Sequence, residues 1–161
     1  MTKAEIKKDI KTYATFILGS EAVGVVSGLI SRAGMKLYTE TAVKPPLSPP
    51  AIVFPIVWAV LYGLMGYGAA RVWLSAPSRD RTLAIRLFAG QLVFNFFWSI
   101  IFFAAGAYGA AFFWLLGLLA LTVAMTVFFR RVDKTAAYLQ IPYIVWLVLA
   151  AYLNLGTWIL N

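Results

Sequence analysis

The stretch Leu87–Phe129, LFAGQLVFNFFWSIIFFAAGAYGAAFFWLLGLLALTVAMTVFF, runs for 43 residues without a charged side chain. A helix that spans hydrocarbon needs roughly 20 such residues. The run is therefore too long for one span and suited to two. The break is expected at Ala104-Ala105-Gly106-Ala107-Tyr108-Gly109, where two Gly weaken a helix and permit a tight turn. Working outward, Thr12–Ser31 is interrupted only by Glu21, Ala51–Ala70 carries no charge, and Thr135–Asn161 is again uncharged. The expected fold is an all-α integral membrane protein, a bundle of five transmembrane helices near 12–32, 51–74, 84–105, 109–130 and 136–159. Repeats and low-complexity segments are absent from the sequence, and residues 1–161 read as a single domain.

Composition supports this reading. Of 161 residues, 62% are hydrophobic and 12% charged, and the mean hydropathy is +0.83. Soluble domains run near 45–50% apolar and about 25% charged, and a short soluble chain could not hide this much apolar surface. The excess of large aliphatic and aromatic residues excludes a disordered or nucleic-acid-binding tail. With no Cys and no His, thiolate metal sites, disulfides, the commonest metal ligand and the usual general base are missing. No metal site is expected. Because everything downstream is apolar, helix 1 is expected to be retained rather than cleaved as a signal peptide.

The net charge of +8 is read as a topological address. One side of the bundle would carry Lys3, Lys7, Lys8, Lys11, Arg71, Arg79, Arg81, Arg86, Arg130, Arg131 and Lys134, the other only Arg32, Lys36 and Lys44. Basic residues in short loops favour the cytoplasm. This places the N-terminus in the cytoplasm and the C-terminus outside.

Three helices carry polar or aromatic residues along one stripe. These are Trp58, Tyr62 and Met65 on helix 2; Gln91, Asn95, Trp98 and Phe102 on helix 3; and Tyr143, Trp146, Ala150 and Asn154 on helix 5. Amides in hydrocarbon need partners and face the bundle interior. The stripes fit a pocket for a flat apolar ligand or, equally, a solid core of packed aromatics. Glu21, the sole acid inside a span, is a functional candidate because a carboxylate in hydrocarbon is costly. A lone Glu in a first helix also marks the proton-coupled small multidrug exporters, although those have four helices. Gly24 and Gly28, extended by Ser20, form a GxxxG pattern; packing within the bundle is preferred here to dimerisation. Pro45-Pro46-Leu47-Ser48-Pro49-Pro50 would be a stiff lip before helix 2. Pro55 and Pro142 should kink or loosen the first turns of helices 2 and 5.

From Lys44 to Asn161 the chain resembles the TspO family, the tryptophan-rich sensory proteins related to the mitochondrial translocator protein. The resemblance rests on the KPxxxPP loop at Lys44–Pro50, on VWAVLYGLM at 57–65, on QLVFNFFWS at 91–99, and on PYIVW at 142–146 with AAYLN at 150–154. It implies a five-helix bundle in a bacterial cell membrane that binds porphyrins, often as a homodimer. Bacterial members are tied to tetrapyrrole handling and stress responses, and some break down protoporphyrin IX in light. By motif position, Trp58 and Trp146 fall on two family tryptophans implicated in that photochemistry. Trp58, Tyr62, Asn95, Trp98, Tyr143, Trp146, Ala150 and Asn154 are expected to bind ligand, with Pro45, Pro46, Leu47, Pro49 and Pro50 as the lid. Leu47 stands where the family has Trp, and the sterol-type pattern of the animal proteins is absent from Leu153–Trp158.

The functional expectation is a membrane receptor or sensor for tetrapyrroles such as protoporphyrin IX, with no covalently bound cofactor. Any turnover would be slow and light-driven, since an indole can donate an electron to an excited porphyrin stacked near it. Outside a few carboxylates the chain offers no conventional general base or nucleophile, which argues against ordinary hydrolytic chemistry. The alternative is a small transporter of porphyrins or other apolar compounds that uses Glu21.

Overall fold

The computed structural model describes residues 3–161, and Met1, Thr2 and the side chains of Lys3 and Ala4 lie outside the description. Six α-helices follow one another: α1 (Lys3–Thr41), α2 (Val53–Leu74), α3 (Arg79–Ser99), α4 (Tyr108–Val132), α5 (Lys134–Tyr138) and α6 (Ile141–Leu160). Five spans are long and apolar enough to cross a membrane, the last made of α5 and α6 together. Along the bundle α1 packs on α2, α3 on α4, and α4 on α6.

The spans match the expected ones, but several ends differ because charge marks the edge of hydrocarbon and not the end of a helix. Helix α1 has 39 residues, about 58 Å at 1.5 Å per residue, against a hydrocarbon core about 30 Å thick. Its charged ends carry on helically past the apolar stretch, and Lys36 pairs with Glu40 one turn away at 3.9 Å. Helix α3 starts before its first apolar residue, because the Ser78 hydroxyl caps it by accepting from the Arg81 N–H at 3.0 Å.

The fifth span is broken near its start. Asp133 caps α5 by accepting from the Ala136 N–H at 2.8 Å. The chain then turns at Leu139-Gln140 and restarts with Pro142 in the first turn of α6. Proline has no N–H to continue the ladder from α5, yet it costs nothing at a helix start. Pro55 lies in the first turn of α2 for the same reason.

Between α3 and α4 the helix widens into a π-helical turn, Ile100–Ala104, closed by the Ala105 N–H on the Ile100 carbonyl at 2.9 Å. Gly106 then reverses the chain with φ +62°, inside the expected break. The π-turn was not legible in the pattern of apolar residues.

The small residues of α1 face inward, as preferred above. Ser20 and Ser27 are buried, and the Ser27 hydroxyl donates to the Phe96 carbonyl at 2.8 Å. The Tyr62 ring lies directly on Gly24, where a Cβ would collide with it. A position 28 side chain would meet nothing within 4 Å, because Gly28 borders a cavity.

Candidate functional site

The bundle holds a partly open cavity of about 530 Å³, within the roughly 300–1,000 Å³ of ligand pockets. Helix α1 contributes Glu21, Gly24, Gly28, Met35 and Tyr38; α2 contributes Phe54, Trp58, Ala59 and Tyr62; α3 contributes Asn95 and Trp98. The π-turn adds Phe102 and Phe103, and α6 adds Trp146, Ala150, Leu153 and Asn154. Lys44, Ser48 and Pro49 border it from the loop. The three aromatic stripes therefore bound a space instead of closing into a solid core.

Seven of the eight residues named from sequence share this lining: Trp58, Tyr62, Asn95, Trp98, Trp146, Ala150 and Asn154. Tyr143 is the exception and lies outside the lining. It is 1% exposed and stands behind the wall, where its hydroxyl accepts from Asn95 Nδ2 at 2.7 Å and donates to Gln91 Oε1 at 3.0 Å. Asn95 Oδ1 in turn accepts from the Tyr62 hydroxyl at 2.5 Å. This chain satisfies buried amides and phenols that would otherwise be costly, and it links α2, α3 and α6. A second relay runs from Trp98 Nε1 to Asn154 Oδ1 at 3.2 Å, and from Asn154 Nδ2 to the Tyr108 carbonyl at 2.8 Å.

The two tryptophans singled out from sequence are neighbours. The Trp58 and Trp146 ring centroids are 6.5 Å apart and the planes nearly perpendicular, at 86°. Trp58 also lies 5.5 Å from Tyr62, and Trp146 lies 5.7 Å from Phe54. Trp114 takes no part in the lining. Its indole N–H donates to the Phe94 carbonyl at 2.8 Å, and its ring stacks on Phe94.

The expected lid lies mostly outside the lining. Of Pro45, Pro46, Leu47, Pro49 and Pro50, only Pro49 touches the cavity. The segment turns at Pro46-Leu47, closed by the Ser48 hydroxyl donating to the Pro45 carbonyl at 2.7 Å. That turn throws Leu47 outward, 83% exposed with φ 63°. Pro45 instead buries itself against Gly156, and the Pro46 carbonyl accepts from the Tyr152 hydroxyl at 3.0 Å. Asn161 holds the Val43 N–H and carbonyl at 2.9 and 3.0 Å. The loop is thus strapped to α6, with Lys44 and Ser48 at the cavity edge.

Beyond Glu21, sequence reasoning missed the contribution of α1. Gly24, Gly28, Met35 and Tyr38 form no aromatic stripe, and small residues announce packing without saying against what. Phe103 was missed because the π-turn shifts its register onto the cavity side.

The fold and its cavity define an α-helical membrane protein with an aromatic-walled, partly open cavity beside a proline-rich loop. The chain belongs to the TspO/MBR family, whose model matches residues 16–159 and so takes in most of α1 as well as the motif-bearing helices. It is 38% identical to the translocator protein of Ovis aries over 117 residues, 71% of this chain and 69% of that one. It is 33% identical to the tryptophan-rich protein TspO of Chlorobaculum tepidum over 155 residues, covering 92% and 95% of the two chains. Identity to protein CrtK of Rhodobacter capsulatus is 29% over 150 residues, 92% of each.

Proposed function

We propose that this protein is a membrane receptor or sensor that holds a tetrapyrrole such as protoporphyrin IX in the cavity. The observation that carries the reading is the meeting of four helices' aromatic and amide side chains around about 530 Å³ of space. Trp58, Trp98, Phe102 and Trp146 offer faces and edges for a flat macrocycle. Lys44 stands at the loop end, its ammonium 3.4 Å from the Thr39 carbonyl, where it would meet a ligand carboxylate. With Trp58 and Trp146 both on the cavity wall, an excited porphyrin would lie within reach of an oxidisable indole. The indole would give up one electron, the porphyrin would take it, and reaction of that pair with dissolved dioxygen as the oxidant would account for slow light-driven breakdown. A homodimer, a cytoplasmic N-terminus and an extracytoplasmic C-terminus in a bacterial cell membrane belong to the same proposal.

Titration of the purified protein with protoporphyrin IX, followed by tryptophan fluorescence, tests the reading. Saturable quenching is expected, and a signal that rises linearly with porphyrin, as for partition into detergent, would overturn it. A transport reading is favoured by one observation, that Glu21 lines the cavity. Proteoliposomes under a protonmotive force separate the two, since a transporter moves porphyrin against its gradient and a receptor only equilibrates it.

A further inference from the structure

Glu21 reaches the cavity from α1 opposite Gly63, halfway along α2. A Cβ at position 63 would stand 3.7 Å from its Oε1, so the missing side chain leaves the carboxylate room. Among the described residues none hydrogen-bonds or ion-pairs with it. The nearest lysine before it on α1, Lys11, is ten positions away, about 15 Å along the helix. On its other side Arg32 is eleven positions away, about 17 Å along the helix, and Lys36 and Lys44 lie further still. Neighbouring polar groups are already engaged: the Tyr62 hydroxyl on Asn95, Ser27 on the Phe96 carbonyl, and Trp98 on Asn154. A carboxylate at mid-membrane depth is costly without a counter-charge. Here it is left with unspent acceptors one turn along α1 from Gly24, on which the Tyr62 ring packs, and Trp58 lies one turn from Tyr62 along α2 and the cavity wall.

An acid beside aromatic faces suits an organic ammonium. The carboxylate accepts charge-assisted N–H bonds, and ring faces attract the cation. We propose that the inner end of the cavity is a subsite for monocationic aryl-alkyl ammonium compounds, with the ammonium at Glu21 and the aryl body along Tyr62 and Trp58. The inference rests on the cavity being a ligand site but not on the ligand being a tetrapyrrole, whose carboxylates Glu21 would repel.

Calorimetric titration of the full chain in neutral detergent, at neutral pH, compares naphthylmethylammonium with the uncharged naphthylmethanol. The wild type should prefer the ammonium by about tenfold or more, the scale of one charge-assisted contact. In the isosteric Glu21→Gln variant the ratio should fall to about two or less. Glu21→Asp, which keeps the charge on a shorter stem, should retain part of the preference and serves if the Gln variant does not fold. Equal affinities in the wild type, or an undiminished ratio in either variant, overturn the proposal. Protoporphyrin IX titrated in parallel distinguishes the two readings. Porphyrin binding without an ammonium preference sinks the subsite alone, and the reverse sinks the tetrapyrrole reading alone. Binding of neither sinks both.

Discussion

Trp58 and Trp146 meet at a right angle across the junction of α2 and α6, ring centroids 6.5 Å apart. Two oxidisable rings therefore share one edge of the cavity. Replacing either with Phe keeps an aromatic wall, so porphyrin affinity should fall modestly, by ~1 kcal/mol on the scale of one stacked pair. Phe is far harder to oxidise than indole, so light-driven loss of the porphyrin Soret band should slow much more than binding weakens. Trp114→Phe is the control, because Trp114 is tied to Phe94 away from the cavity. Equal bleaching rates in all three variants would reduce Trp58 and Trp146 to walls of a receptor.

Ala150 lines the cavity and is 9% exposed. Ala150→Thr adds volume where the ligand would sit, and overpacking costs about 1–3 kcal/mol, roughly a 5- to 150-fold loss of porphyrin affinity. Thermal unfolding should move less than binding does. Unchanged affinity in a folded variant would exclude this part of the wall from the binding site.

Tyr143 stands behind the wall, so its loss should be felt in stability before binding. Tyr143→Phe removes the acceptor of Asn95 Nδ2 and the donor to Gln91 Oε1, stranding buried amide atoms at about 1–3 kcal/mol. The expected result is a lower unfolding temperature in detergent with the ring packing kept. A large affinity loss with no change in stability would put the phenol back on the ligand.

Asp133 supplies the pH-sensitive tie at the end of the bundle where α1 begins. Burial works to raise its carboxyl, but hydrogen bonds from Arg71 and from the Ala136 and Thr135 N–H groups, with the Arg71 charge, hold it below its ordinary value of 3.8. Arg71 Nε and Nη2 both donate to Oδ2, at 3.1 and 2.8 Å. A carboxyl lowered in the fold stabilises fully above its unfolded pKa, and that contribution is lost as pH falls through the folded value. Unfolding temperature should therefore drop below about pH 4, and Asp133→Asn should flatten that drop. An unaltered acid limb in the variant would assign it to other carboxylates.

The basic asymmetry predicts which end of the bundle faces the cytoplasm. Because the chain has no native Cys, single Cys at the exposed positions Ala76 and Ala105 report without background. A membrane-impermeant thiol reagent applied to intact cells should label Ala105→Cys and spare Ala76→Cys. The reverse pattern would invert the proposed topology.

The sequence by itself determined the membrane class, the five spans, a reversal within Ala104–Gly109 and the inward face of three helices. Each follows from a local rule: hydrocarbon needs about 20 apolar residues, Gly permits positive φ, and amides shun lipid. Tertiary structure decided the rest. Whether the stripes on α2, α3 and α6 closed into a core or bounded a cavity depended on how far apart the helices stand, a distance that no single stripe encodes. Tyr143 and Trp146, three positions apart, read alike in sequence. One was drawn behind the wall by Asn95 and Gln91, and the other was left on it beside Trp58. The loop followed the same logic, since Pro45 could bury itself only where Gly156, 111 positions later, leaves a gap. The π-turn and the cavity face of α1 also waited on long-range packing, because small residues record that something comes close and not what it is.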